Sequence, residues 1–192
     1  MSEMATVPTG PQTPGAPDGH SRKRARRTVA WAAAALAGSA ALGLLGGLVW
    51  GEAAPRAMLR EIGAGTAVLT NSETRAFFGA DVWFCGIGAV AGLLTGILGY
   101  RFAVAPRTGG SRAAVAAALI AGAVAGAFVM LWLGEQIGAS GYTQHLASSP
   151  DGTLFPASLA LGAKSALAFW PLLTSAVLLI AEWSTRPARE QA

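Results

Sequence analysis

The chain has 192 residues, 53% of them hydrophobic and only 12% charged, with a formal net charge of +4. That balance excludes a nucleic-acid-binding module, which needs a folded basic face interleaved with aromatic or polar readers. A single cysteine, Cys85, excludes both an intramolecular disulfide and a CxxC redox centre.

Residues 1–21 carry Pro8, Pro11, Pro14 and Pro17 at three-residue spacing and little to bury. This composition favours extended, solvated chain, so residues 1–27 are expected to form a disordered leader. The leader ends in Arg22, Lys23, Arg24, Arg26 and Arg27, directly before an apolar run over residues 28–50. Three readings compete there: a cleaved signal peptide, a twin-arginine export signal on Arg26 and Arg27, and a retained first helix. An export signal's apolar core runs to about 15 residues, and residues 28–50 exceed it, which favours the retained helix.

Three further apolar runs follow, over residues 82–104, 113–134 and 157–182. A hydrocarbon core about 30 Å thick takes roughly 20 helical residues, so each run is long enough to cross. The expected fold is an all-α membrane protein, a four-helix transmembrane bundle over residues 28–183 with a short tail over 184–192. Positive charges sort the loops. Arg101, Arg107, Arg112, Arg186 and Arg189 fall on the side of the basic leader, while Arg56, Arg60 and Arg75 fall on the other. Both termini are therefore expected to be cytoplasmic at an inner (plasma) membrane, with loops 51–81 and 135–156 outside.

In the first outer loop, Thr66 to Thr70 and Thr74 to Phe78 flank the turn-prone Asn71, Ser72 and Glu73. The pattern predicts a small extracytoplasmic β-hairpin, with an amphipathic helix over Arg56 to Ile62 as the alternative for the preceding stretch. The second outer loop, with Gly138, Gly141, Pro150 and Gly152, is expected to be irregular, and Pro156 to open the fourth helix.

Glycines recur at four-residue spacing: Gly43 and Gly47, then Gly88, Gly92 and Gly96, then Gly122 and Gly126. Such spacing lets helix backbones approach closely, so these are expected packing faces. An internal echo joins the halves: Trp50-Gly51-Glu52 closes the first run and Trp132-Leu133-Gly134-Glu135 the third, as two hairpins related by an axis along the membrane normal would produce.

Lys164 is the charge expected deepest in a span, about 10 Å in if the fourth helix starts at Ala157. Its insertion cost of about 2.5–3.5 kcal/mol is offset by the leucines around it. Lys164 either snorkels to the headgroups or pairs with Glu135, Glu52 or Asp81 near the same boundary; a functional pairing would form an anion or proton-coupled site. His20 and His145 are too far apart in the expected topology to clamp a haem, and Glu135, His145 and Asp151 lack metal-ligand spacing. No metal or cofactor is expected. Trp31, Trp50, Trp83, Trp132 and Trp183 mark span ends, whereas Trp170 lies inside the fourth, where Pro171 is expected to bend the helix.

The landmarks carry a resemblance. A basic leader, a first span ending in Trp50 to Pro55, the run Phe78-Gly79-Ala80-Asp81-Val82-Trp83-Phe84 and a positive residue before Trp170-Pro171 together are similar to a family of small four-span actinobacterial membrane proteins. That family is of unknown function and sometimes labelled permease-like. Val82 stands where a small residue is usual and Lys164 where arginine is. The resemblance implies membrane location and fold, and no reaction. The expected role is a non-enzymatic accessory or structural partner of an envelope or transport complex, in contact with the bilayer, a membrane-protein partner or further copies of itself. The alternative is a small transporter or permease subunit using Lys164 with a carboxylate. No GxxxxGK[ST] loop is present, so an ATPase would have to come from another chain.

Overall fold

The computed structural model of the protein describes residues 19–63, 66–69, 74–106, 110–148 and 153–185. Four helices are long and apolar enough to cross a membrane, the arrangement of a multi-pass membrane protein. They are α1 (Gly19–Ala53), α2 (Thr74–Gly99, continued by a π-helical turn over Tyr100–Val104), α3 (Gly110–Ser148) and α4 (Phe169–Ser184, preceded by a 3-10 turn over Lys164–Ala168). Outward-facing positions are apolar: Leu45, Val90, Leu172 and Leu179 are 60–70% exposed. That is the distribution of a bundle solvated by hydrocarbon.

The helices pair in parallel. The most extensive interface joins α1 to α3, and the next joins α2 to α4. Along the first, Ser39 faces Gly122, Gly43 faces Gly126 and Gly47 faces Met130, a constant offset of 83 positions. Gly51-Glu52 and Gly134-Glu135 are separated by the same offset, so the echo in the sequence follows the packing register. Along the second, Gly92 meets Trp170 and Gly96 meets Val177.

Close backbone approach explains these glycines, since lipid supplies no hydrophobic drive between helices and dispersion must hold them. A Cβ at Gly43 would collide with the Gly126 carbonyl oxygen, and one at Gly47 would lie 2.8 Å from the Met130 carbonyl oxygen. At Gly122 it would lie 2.9 Å from Ser39 Oγ, at Gly126 2.6 Å from Trp170 Cη2, at Gly92 2.8 Å from the Trp170 carbonyl oxygen and at Gly96 2.7 Å from Val177 Cβ. Gly88 differs: its nearest neighbour would be 3.9 Å away, ordinary van der Waals contact.

Three buried clusters stack along the bundle. One end holds Trp50, Phe84, Met130, Leu159 and Leu161, the middle Ala91, Ala123, Ala127 and Trp170, and the far end Val104, Val115, Leu119 and Leu178. A three-stranded antiparallel sheet covers the first end. Its strands are β1 (Met58–Gly63), β2 (Thr66–Leu69) and β3 (Leu154–Pro156), in the order β2-β1-β3. Leu59 pairs with Leu69 on one side and with Phe155 on the other. The Ala157 amide donates to the Ala57 carbonyl at 2.7 Å, continuing the ladder by one bond. The connection between α1 and α2 is thus hydrogen-bonded to the connection between α3 and α4.

Several element limits differ from the sequence expectation. Helix α1 is described from Gly19, and Arg22 to Arg27 continue it as Arg, Lys and Ala, all good helix formers. The leader over 1–27 is therefore helical in its last nine residues, and the prolines before it lie outside the described residues. The stretch Met58–Gly63 is a strand rather than an amphipathic helix, with Met58 and Arg60 exposed around a half-buried Leu59. The segment Thr74–Phe78, expected as a strand, is the first turn of α2. Ala80 and Phe84 both pack on Trp50, and only helical spacing presents them together. The Asn71-Ser72-Glu73 turn lies outside the described residues.

Helix α3 runs on to Ser148 instead of ending at 134. Gly138 does not break it, since its missing side chain seats Leu159, and no proline occurs before Pro150. The fourth span is shorter than expected. Pro156 ends β3, and residues 157–163 are non-helical, alternating exposed Ser158, Ala160 and Gly162 with buried Leu159 and Leu161. That is a period of two, and helical structure begins only at Lys164. Pro171 consequently sits in the first turn of α4, where a missing N–H and a fixed φ are best tolerated.

Candidate functional site

Two polar constellations flank the apolar bundle, one at the sheet end and one at the far end. The sheet end holds the four residues singled out as an ion-pair or pathway group. Asp81, half-buried on α2, accepts the Gly162 amide at 2.9 Å and the Ala163 amide at 3.0 Å, one on each carboxylate oxygen. These amides belong to the last two residues of the extended segment before the 3-10 turn, so Asp81 fixes that segment against α2 just ahead of the helix start. Lys164 is the next residue. It is exposed at the start of the helical segment, because the seven residues expected to bury it are extended.

Glu52 is exposed at the end of α1, and Glu135 is half-buried at the equivalent register on α3. Among the described residues no ion pair joins Lys164 to Asp81, Glu135 or Glu52; the ion pair found is Arg112–Glu182 at the other end. Among them there is also no group of three or more His, Cys, Asp or Glu that could hold a metal ion. His145 lies in the last turns of α3, and Asp151 lies outside the described residues.

Trp50 departs from its expected interfacial role. Its side chain is fully buried, Nε1 donates to the Ala80 carbonyl at 2.8 Å, and its ring meets Phe84 edge-on at 5.2 Å. The glycine at 134 makes room for the indole. Trp170 is likewise buried, donating from Nε1 to Thr95 Oγ1 at 3.3 Å, while Thr174 Oγ1 donates to the Gly92 carbonyl at 3.2 Å. Trp132 and Trp183 remain outward, 59% and 71% exposed.

The far-end constellation is not visible from sequence spacing. Arg112 on α3 pairs with Glu182 on α4 at 3.0 Å and donates to Tyr100 Oη at 3.1 Å. Tyr100 donates to the Ala181 carbonyl at 3.2 Å and lies 3.0 Å from Thr185 Oγ1. The Arg112 guanidinium also sits 5.8 Å from the centre of the Tyr100 ring, within cation–π range. Tyr100 opens the π-helical turn that ends α2, and this turn carries its side chain to α4. The cluster ties three helices together where the α2–α3 connection is short. Two buried polar atoms have no hydrogen-bond partner among the described residues, Arg112 Nε here and Ser39 Oγ in the α1–α3 interface.

Between α1 and α2 runs an apolar groove of about 500 Å³, lined by Leu42, Leu45 and Val49 on one side and by Val82, Val90 and Leu94 on the other. Leu45, Val82 and Val90 are exposed, so the groove opens sideways from the bundle and not along its axis. It offers shape and dispersion; no charged residue lines it, and Trp83 is the lining side chain with a hydrogen-bond donor.

The chain matches no protein-family model, no curated protein and no solved structure.

Proposed function

We propose that this chain is a non-enzymatic accessory or structural subunit of an envelope or transport complex. In this reading it resides in the inner (plasma) membrane with both termini in the cytoplasm and the three-stranded sheet on the outer surface. The arginine asymmetry of the loops supports the orientation. The landmark resemblance supports kinship with the small four-span actinobacterial proteins.

One observation carries the functional reading: the open concavity between α1 and α2 is apolar, while Trp50, Trp170 and Thr174 inside the bundle spend their donors on the Ala80 carbonyl, Thr95 and the Gly92 carbonyl within the chain. A solute path needs polar groups free to exchange partners with the solute, and a groove of this chemistry suits a partner's transmembrane helix. The test introduces bulk where the groove is open. Gly86, with nothing within 4 Å of its Cβ position, becomes phenylalanine, and the full chain is purified in mild detergent. The expected result is loss of a stoichiometric membrane-protein partner with an unchanged melting temperature. Retention of that partner at full occupancy overturns the groove as its seat.

A second reading, a small transporter or permease subunit, draws on Lys164, exposed where the fourth segment changes from extended to helical beside the Asp81 clasp. Flux in proteoliposomes that is abolished by Lys164→Ala or Glu135→Gln, with stability intact, would favour this reading over the first.

A further inference from the structure

Helix α1 is longer than a membrane needs, and the surplus lies at its N-terminal end. The register with α3 places Gly110, the first residue of α3, opposite Arg27. Among the described residues, no α3 position falls in register with the turns over residues 19–26. Those turns carry the basic run. The side chains of Arg22, Lys23, Arg26 and Arg27 are exposed. At about 100° per residue they fall within an arc of about 140° on one face of the helix.

Height matters as much as face. Because the basic turns and the span form one continuous helix, each charge sits at a fixed level. Counted outward from Thr28 at about 1.5 Å per residue, Arg27 to Arg22 lie roughly 1.5–9 Å beyond the apolar run. The headgroup layer on each side of a bilayer is about 5–8 Å thick. On that count the four cations fall at the level of the lipid phosphates.

The charge at this end is also uncompensated. Among the described residues it carries Arg22, Lys23, Arg24, Arg26, Arg27, Arg101 and Arg112 against the single acid Glu182, which Arg112 already occupies. Orienting a span requires positive charge on its flank and makes no demand on face, helical continuity or level. The structure adds all three.

We propose that Arg22, Lys23, Arg26 and Arg27 form a binding face for the headgroups of anionic phospholipids in the leaflet at the end of the bundle away from the sheet. Phosphodiester groups at that level complement the four cations, and side chains of this length reach sideways along the headgroup plane. A nucleic acid would have to approach from beyond the headgroups and meet the face edge-on. The face selects lipid by charge, so its occupancy falls as salt shortens the screening length.

The test uses the full chain in phosphatidylcholine vesicles holding trace spin-labelled phosphatidylglycerol or spin-labelled phosphatidylcholine. The motionally restricted fraction of each label is read by electron spin resonance. The wild-type chain is expected to prefer phosphatidylglycerol by roughly fivefold at low salt, with near parity at about 1 M, where the screening length is about 3 Å. The R22Q/K23Q/R26Q/R27Q variant is expected to lose the preference, whereas R56Q/R60Q at the sheet end keeps it. Should the quadruple variant fail to fold by circular dichroism, R22Q/R26Q and K23Q/R27Q are each expected to lower the preference. No preference in the wild-type chain, or an undiminished one in the neutralised variants, overturns the proposal.

Discussion

Gly43 and Gly126 lie so close across the α1–α3 interface that a methyl group on the first would run into the carbonyl oxygen of the second. A rigid backbone atom, not a side-chain tip, is the obstacle, so the contact cannot be relieved by a rotamer change. Gly43→Leu is expected to destabilise the bundle by about 1–3 kcal/mol through forced separation of the helices. Gly88→Ala, at a site with 3.9 Å to spare, is expected to be nearly neutral. Thermal unfolding in detergent micelles, followed by circular dichroism, separates the two; equal melting temperatures for both variants contradict the packing account.

Trp50 fills the sheet-end core and bonds to Ala80. Trp50→Ala is expected to cost about 3–5 kcal/mol, as for other large buried aromatics. Trp50→Phe should cost less, since it keeps most of the volume and gives up only the indole bond to the Ala80 carbonyl, an oxygen inside α2 that keeps its helical partner. Trp183→Phe, at a position 71% exposed, serves as the control and should melt with the wild type.

Asp81 clasps two amides with two oxygens, so its removal should show at those amides first. Hydrogen exchange at Gly162 and Ala163 is expected to accelerate sharply in Asp81→Ala, with a loss of about 0.5–1.5 kcal/mol, the range for a typical intramolecular hydrogen bond. Asp81→Asn retains one acceptor and should deprotect one amide more than the other. Unchanged exchange at both positions would mean the clasp contributes nothing to holding the segment.

Pro171 offers a prediction of silence. In the first turn of α4 a missing N–H is best tolerated, so Pro171→Ala is expected to shift stability by less than about 1 kcal/mol. Thr174→Pro, one turn further in, should cost about 3 kcal/mol or more from backbone disruption and also lose the bond to Gly92. Comparable unfolding of both variants would place Pro171 at a working bend after all.

Arg112 and Glu182 should be energetically coupled, and weakly, because both side chains remain partly exposed at 28% and 39%. A double-mutant cycle with Arg112→Gln and Glu182→Gln is expected to return about 0.2–1 kcal/mol. Arg112→Gln should exceed Glu182→Gln in cost, since Arg112 alone also serves Tyr100.

The spans were legible in the sequence because apolar residues come in blocks, and the bilayer's thickness converts block length into topology. Their ends were not. A helix already nucleated continues cheaply until a proline or a tertiary contact stops it, which is why α3 runs through Gly138 and Gly141 to Ser148. Lys164 was misplaced for a related reason. Leu159 and Leu161 read as part of an apolar block, but their alternation with Ser158, Ala160 and Gly162 belongs to an extended segment held by Gly138 and Asp81. Neither partner is local in sequence. The Arg112–Tyr100–Glu182 cluster had no spacing signal at all, since it joins three elements at their tips.

The sheet order has a consequence for biosynthesis. A nascent chain that has completed only α1 to α2 holds β1 with one flank open, because the strand that occupies it, Leu154–Pro156, has yet to be made. Synthesis of the latter half therefore finishes a structure begun by the former, in the manner of a zip fastener whose second row of teeth arrives late. Two fragments separated in the α2–α3 connection would share two seams, the β1–β3 pairing and the 83-position glycine register.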